Sequence, residues 1–286
     1  MTDAALQPPR ALGPVVAICR PGEWRKNVAY LAWGAYCGSG RAFVFDARWA
    51  VALAATCCLW SSFYILDDIA DRPLDVADPS RAGRPLAGGR LSEPFAIALS
   101  ASLCAGALAA LLVLDLRLGA VGLVAGLLQG VHSARPGTKR IRFLDVAVAG
   151  FSFGAIRAMI GWLAVDASTL PPLAVLAVPA FYKAAAYLAY QRLSRSPFPA
   201  RRREGTTVLL GDRGTEWVTA VLFVASVAMF LFYVVENAWP ATPVCFFGLL
   251  FVSAFTWGWW RRARLPERQA GGVGLTRFPK SPAETS

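Results

Sequence analysis

A polytopic, all-α membrane protein is the fold class that this chain predicts, on three observations. Apolar residues come in blocks of about twenty, the number that crosses the ~30 Å hydrocarbon layer of a bilayer. Of the 286 residues, 56% are hydrophobic and only 16% charged, where a soluble domain carries nearer a quarter charged residues. The lysines and arginines are also crowded into alternate connections between the apolar blocks.

Taken in order, the spans are predicted near residues 27–44, 48–67, 93–114, 118–133, 144–165, 170–191, 215–235 and 241–260. The first is blurred at its end by Gly38, Gly40 and Arg41. The second ends in a run of acids, and the fifth opens on a basic loop with one acid, Lys139-Arg140-Ile141-Arg142-Phe143-Leu144-Asp145. Short connections, Asp115–Arg117, Asp166–Thr169 and Asn237–Pro240, join spans on one side. No cleavable signal peptide is expected, because residues 1–10 are polar and the apolar run at 11–19 is short and holds Gly13-Pro14. Residues 1–10 and 263–286 read as disordered, which leaves 11–262 as one transmembrane domain.

A net charge of +11 would suggest nucleic acid in a soluble protein, but its distribution points to a membrane. Basic residues gather in the N-terminal segment (Arg10, Arg20, Arg25, Lys26) and in three loops. The loops carry Arg72, Arg81, Arg84 and Arg90; then Arg135, Lys139, Arg140 and Arg142; then Arg192, Arg195, Arg201, Arg202, Arg203 and Arg213. The C-terminal tail adds Arg261, Arg262, Arg264, Arg268, Arg277 and Lys280, while the alternate loops hold only Arg41, Arg48 and Arg117. By the positive-inside rule the rich set is cytoplasmic, with both termini inside and an even number of spans in the cell (inner) membrane. The six cysteines show no metal or disulfide spacing, and His132 is the sole histidine.

The most telling stretch is Asp67-Asp68-Ile69-Ala70-Asp71-Arg72-Pro73-Leu74-Asp75, directly after the apolar run 47–66. In a helical continuation Asp68, Asp71 and Asp75 share one face, with Asp67 one position off it. Carboxylates stacked so closely repel one another unless something positive joins them. A hard divalent cation, Mg²⁺ with Mn²⁺ as the alternative, answers that need and also holds substrate phosphates. Arg81, Arg84 and Arg90 follow in a Pro/Gly-rich loop, where guanidinium groups can fork onto phosphate oxygens. Two cations lie deeper: Arg157 inside the fifth span, and Lys183 in the sixth beside Tyr182 and Tyr187. Buried cations usually face a polar cavity; for Lys183, snorkelling or a structural ion pair stays open.

These residues resemble the UbiA superfamily of intramembrane prenyltransferases. The first motif of that family, Asn-Asp-x-x-Asp-x-x-x-Asp at the end of the second helix, is similar to Asp67-Asp68-x-x-Asp71-x-x-x-Asp75 here. A downstream element appears as Arg84-Pro85-Leu86-Ala87-Gly88-Gly89, and a second region as His132-Ser133, Lys139, Leu144-Asp145 and Arg157 to Gly161. Arg20-Pro21-Gly22-Glu23-Trp24-Arg25-Lys26-Asn27 resembles the opening of the decaprenyl-phosphate phosphoribosyltransferase branch. His132 stands where tyrosine is usual, Gln191-Arg192 stands in place of that branch's Lys-Arg, and eight spans are read where the family usually has nine helices.

The resemblance implies a Mg²⁺-dependent transferase with a lipid (polyprenyl) substrate, a diphosphate-bearing donor and no nucleic-acid partner. Asp68, Asp71 and Asp75 would hold the metal, and Asp67 would orient a ligand or a metal-bound water. Asp145 would be a second-metal ligand or a general base. Arg84, Lys139 and Arg81 would bind phosphates, and Lys26 and Asn27 a phosphate-bearing substrate. Arg157, Lys183, Tyr187 and Arg192 complete the substrate candidates. The branch implies transfer of phosphoribosyl from phosphoribosyl diphosphate to a polyprenyl phosphate. Prenyl transfer to an aromatic or other small acceptor is the alternative, and a transporter or an inactive family member is another.

The charge bias yields a topological prediction. Cysteine labelling on a cysteine-free background should find residues 72–92, 134–143, 192–213 and position 286 on one, cytoplasmic side. Labelling of position 286 from outside would break the eight-span count.

Overall fold

In the computed structural model, which describes residues 12–40, 46–78, 81, 83–134, 137–193 and 205–239, the regular elements are helices. They are α1 (Leu12–Cys19), α2 (Trp24–Gly38), α3 (Ala47–Val76), α4 (Glu93–Leu114), α5 (Leu116–Ser133), α6 (Leu144–Val165), α7 (Leu173–Leu193) and α8 (Thr206–Glu236). All belong to one compact unit, Met1–Ala238; the other, Trp239–Ser286, lies almost wholly outside the described residues. Six of the helices, α3 to α8, are long and apolar enough to cross a membrane. The chain is a multi-pass membrane protein.

Capping explains where several helices begin. Asp46 accepts the Trp49 backbone N–H at 2.7 Å, which starts α3. Asp115 ends α4 and caps α5, accepting from Arg117 N at 2.8 Å, so two spans turn around on one residue. With its 30 residues, α3 rises about 45 Å, well beyond the hydrocarbon layer, so its last turns stand outside the apolar zone. Those turns carry the Asp67–Asp75 motif.

Most predicted spans stand, with shifts at their ends. The first, expected at 27–44, is a helix of 15 residues that starts at Trp24 and stops at Gly38, where Gly40 turns left-handed (φ 67°). The seventh, expected at 215–235, starts at Thr206. Its polar beginning, Gly-Asp-Arg-Gly, reads as loop, but Gly211 (φ 64°, ψ −173°) merely kinks the helix, and Thr215 Oγ1 bonds back to Gly211 O at 2.6 Å. The eighth span (241–260), the terminal segments 1–10 and 263–286, and most of the third basic loop fall outside the described residues.

Three of the helices pack closely where side chains are small. A Cβ on Gly34 of α2 would overlap the Ala158 carbonyl of α6, and one on Gly161 of α6 would overlap the Leu31 carbonyl of α2. Small residues facing each other let two membrane helices approach backbone to backbone. Trp33 of α2 donates to the Val175 carbonyl of α7 at 2.8 Å and lies against Phe230 and Tyr233 of α8. One turn of α6, Ala147–Ser152, is widened into a π-helix. Gly150 within it and Gly154 just after it pack against Ala184 and Pro179 of α7. The opposite faces of α4, α5 and α8 leave Val113, Leu127, Val221 and Val224 exposed, as a lipid-facing surface requires.

Gly161→Ala should therefore destabilise the protein by about 1–3 kcal/mol through overpacking. Gly126→Ala, whose added Cβ meets nothing within 4 Å, should be neutral or stabilising by up to ~1 kcal/mol. Thermal unfolding in detergent checks both; equal midpoints would refute the close α2–α6 contact.

Candidate functional site

At the end of α3 the helical period lines up Asp68, Asp71 and Asp75, which are 4%, 7% and 1% exposed. Negative charge is disfavoured at a helix C-terminus, and burial adds a desolvation cost. The protein meets both with cations from three separate segments. Arg84, from the loop after α3, donates to Asp68 Oδ1 at 2.9 Å and to Asp75 Oδ2 at 2.7 Å. Arg20 donates to Asp68 Oδ1 at 2.5 Å from the turn between α1 and α2, with its guanidinium over the Tyr64 ring. Lys139 reaches Asp71 Oδ1 at 2.8 Å and Asp67 Oδ1 at 3.7 Å.

Local folding explains why these cations are in place. Leu86 is buried with Ile18, Ile65 and Ala96, which pins the 81–90 loop between α1, α3 and α4 and so aims Arg84. Arg81 lies in the turn that feeds it, its carbonyl accepting from Arg84 N at 2.9 Å. Arg20 takes a left-handed conformation (φ 51°, ψ 56°) just before Pro21. Lys139 sits on the single 3₁₀ turn Thr138–Arg140, and the His132 Nδ1–Thr138 Oγ1 hydrogen bond of 2.9 Å ties that turn to the end of α5. Asp67, one-third exposed, accepts from Ser133 Oγ at 2.5 Å, and Ser133 in turn accepts from Gln129 at 2.6 Å.

Cations of the chain itself lie among the three acids that are expected to share an ion. Among the described residues no three His, Cys, Asp or Glu side chains form a ready-made metal cage. Arg20, Arg84 and Lys139 supply the positive charge that joins the carboxylates. The donor set is nonetheless all oxygen, suited to a hard cation. Burial lowers the Arg84 guanidinium from its ordinary value while the attraction of Asp68 works to raise it, and it stays charged.

The other nominated residues divide into groups. Lys26 pairs with Glu23, one turn before it. Burial works to raise the Glu23 carboxyl, but Lys26, with Lys183 and Arg20 nearby, outweighs it and holds the group below the usual carboxylate range. Asn27 is buried and donates to Cys57 Sγ at 3.6 Å, leaving its Oδ1 without a hydrogen bond. Arg157, 2% exposed, lies over Trp60 (4.2 Å) and Tyr30 (5.5 Å), with its Nε unbonded. Lys183 stands 5.8 Å from the Tyr187 ring. Arg192 points away from this set to α8, bonding Glu216 at 2.6 Å and nearing Asp212 at 3.7 Å.

Asp145 is fully buried. Its partners are Thr206 Oγ1 (2.5 Å), Thr206 N (3.3 Å), Val146 N (2.9 Å) and Gln191 Nε2 (3.3 Å). Reasoning from sequence did not nominate Arg20, Ser133 or Thr206. The first two lay within quoted motifs, so proximity to nominated residues was their only signal.

Comparison with known proteins adds to this geometry. The sequence model described as the UbiA prenyltransferase family matches residues 27–272. The decaprenyl-phosphate phosphoribosyltransferase of Mycolicibacterium smegmatis is 31% identical over 164 residues, 56% of this chain and 51% of that one. The enzyme of the same name from Corynebacterium glutamicum is 29% identical over 169 residues, 55% and 48% of the two chains. The chain thus spans about half the length of these relatives. Among solved structures, a UbiA homolog from Archaeoglobus fulgidus bound to GPP and Mg²⁺ superposes with TM-score 0.70 at 17% identity, covering 93% of this chain and 91% of that one. The apo UbiA homolog from Aeropyrum pernix K1 gives TM-score 0.66 at 20% identity, covering 85% and 92%. At such identities the likeness concerns the fold.

Arg84→Gln should destabilise the protein by about 1–3 kcal/mol, below the ~3–5 kcal/mol of a wholly buried pair because Arg84 keeps 24% of its side chain exposed. Adding Asp75→Asn should recover part of that loss, a coupling of about 1 kcal/mol or more. A double-mutant cycle of detergent unfolding midpoints reads this out, and strict additivity would show that Arg84 does not hold the acids.

Proposed function

The chain belongs to the UbiA prenyltransferase family, and on that premise we propose that it is a Mg²⁺-dependent transferase that moves phosphoribosyl from phosphoribosyl diphosphate to a polyprenyl phosphate. The observation that carries the diphosphate chemistry is the interleaving of Asp68, Asp71 and Asp75 with Arg20, Arg84 and Lys139. The choice of phosphoribosyl over prenyl rests on the Arg20–Asn27 element and on the two phosphoribosyltransferase relatives.

Mg²⁺ is usually held by one or two carboxylates together with substrate phosphates, so the diphosphate would complete the coordination of an ion here. Asp68, Asp71 and Asp75 would hold it. When bound it supplies Lewis-acid stabilisation of the departing diphosphate oxygens. Arg84, Lys139 and Arg20 turn from the carboxylates to the phosphate oxygens as these enter. Their hold strengthens as negative charge builds on the leaving group. Asp67, held by Ser133, orients what binds beside it. Lys26 and Asn27 take the phosphate of the second substrate, with the half-exposed Trp24 at the membrane surface. Arg157, over Trp60 and Tyr30, faces an anionic group deeper in the bundle, with Lys183 and Tyr187 beside that path.

Residues 11–262 form the catalytic domain in this reading, in the cell's inner membrane with the site and both termini facing the cytoplasm. The lysine and arginine distribution supports that orientation. Prenyl transfer from a prenyl diphosphate is the second reading, favoured by the fold shared with a homolog bound to GPP and Mg²⁺.

Purified full chain in detergent, given phosphoribosyl diphosphate and a polyprenyl phosphate, should form the phosphoribosylated lipid, and a chelator in excess should stop it. Asp68→Ala and Asp71→Ala should each abolish turnover, and Lys26→Ala should cut kcat/KM by one to three orders of magnitude, about 1.4–4 kcal/mol. Prenylation of an aromatic acid with no use of phosphoribosyl diphosphate would overturn the branch. Full turnover in chelator would overturn the metal.

A further inference from the structure

Asp145 opens α6, yet its bonds run to the start of α8. The N-terminus of α8 has Gly205 at its cap position, which brings no side chain to the task. Asp145 supplies the missing acceptor from another helix, taking the Thr206 N–H at 3.3 Å and the Thr206 hydroxyl at 2.5 Å. A carboxylate there also meets the positive end of the α8 dipole. A Cβ on Gly205 would come 3.2 Å from Asp145 Oδ2, so glycine leaves the acid room to reach the cap.

The same threonine holds a second feature. Thr206 Oγ1 accepts the Phe143 backbone N–H at 2.6 Å while donating to Asp145. Phe143 sits at φ 64°, ψ −33°, a conformation costly for an aromatic residue and kept only where its surroundings enforce it. Upstream the chain is stitched to this point: Asp145 N bonds Ile141 O at 3.1 Å, and Ile141 N bonds Thr138 O at 3.0 Å. The turn so fixed, Thr138–Arg140, carries Lys139 to Asp71 and Asp67. Both carboxylate oxygens of Asp145 are engaged and the residue is fully buried, so it offers no open face to a metal or a substrate.

We propose that Asp145 is a positioning residue: it caps α8 across the helix boundary and, through Thr206, locks the Phe143 turn that presents Lys139 to the α3 acids. The importance of Lys139 for turnover rests on the transferase reading above; the lock itself does not.

The test follows Lys139 directly. In wild type Lys139 is 4% exposed and ion-paired, so an amine-labelling reagent read by mass spectrometry should modify it slowly. Asp145→Asn, which sets an NH₂ against donors, and Thr206→Val, which removes the hydroxyl, should each raise its labelling about tenfold, near the low end of what an unsatisfied buried group costs. Thr206→Ser keeps both bonds and should stay protected. Gly161→Ala, destabilising at a distance, should also leave Lys139 protected, which separates positioning from general loosening. Mn²⁺ binding in the presence of inorganic diphosphate should be weakened by Asp145→Asn no more than by Lys139→Gln, and more strongly by Asp68→Asn.

Protection of Lys139 in Thr206→Val overturns the proposal even where Asp145→Asn fails to fold. Loss of Mn²⁺ binding in a folded Asp145→Asn well beyond that of Lys139→Gln overturns it in favour of a metal ligand. Wild type that binds no Mn²⁺ with diphosphate tells against the transferase reading alone, and the labelling still decides the lock.

Discussion

The fork of Arg84 across Asp68 and Asp75 is the interaction on which the rest of the site depends. Without it, buried carboxylates at the C-terminal end of a membrane helix would face one another and the helix dipole together. With it, the loop between α3 and α4 becomes a structural member: Leu86 is seated in apolar contacts so that Arg84 can be spent on charge. Arg20 and Lys139 add cations from chain positions 48 and 68 residues away from their acids. The site is a meeting of three basic segments on one acidic helix end.

This arrangement also suits the chemistry assigned to it. In the proposed reading, an anion entering the cluster would exchange places with carboxylates of similar charge and geometry. The Arg84 fork and the buried Lys139 ammonium are already aimed, so little reorganisation would accompany binding. Arg157 follows another rule. It bonds the Phe153 carbonyl at 3.4 Å and lies over the faces of Trp60 and Tyr30, which soften the burial of a cation without fixing a counter-ion in place.

Much of the scaffold was legible because it obeys simple periods. The span at 93–114 matches α4, and the helical spacing of Asp68, Asp71 and Asp75 places them on one face as observed. Local composition misled where tertiary geometry decides. Gly211 reads as a loop residue, yet a single left-handed glycine only kinks α8. Arg192 pairs with Asp212 and Glu216, acids on a neighbouring helix beyond a loop, a partnership that local spacing does not announce. Arg20 was invisible as the partner of Asp68 because nothing in sequence spacing connects residues so far apart. The acids announced a need for positive charge, and only the fold could say which cations meet it.

The π turn at Ala147–Ser152 acts as a phase shifter in α6. One residue absorbed into a widened turn rotates everything beyond it by about 100° relative to an unbroken α-helix. The start of α6 is bolted to α8 at Asp145, so that rotation decides which neighbour Arg157 faces. Insertions and deletions in this turn are therefore unlike those in a loop. One residue fewer would leave the helix continuous and apolar while swinging the guanidinium about a quarter turn off its aromatic bed.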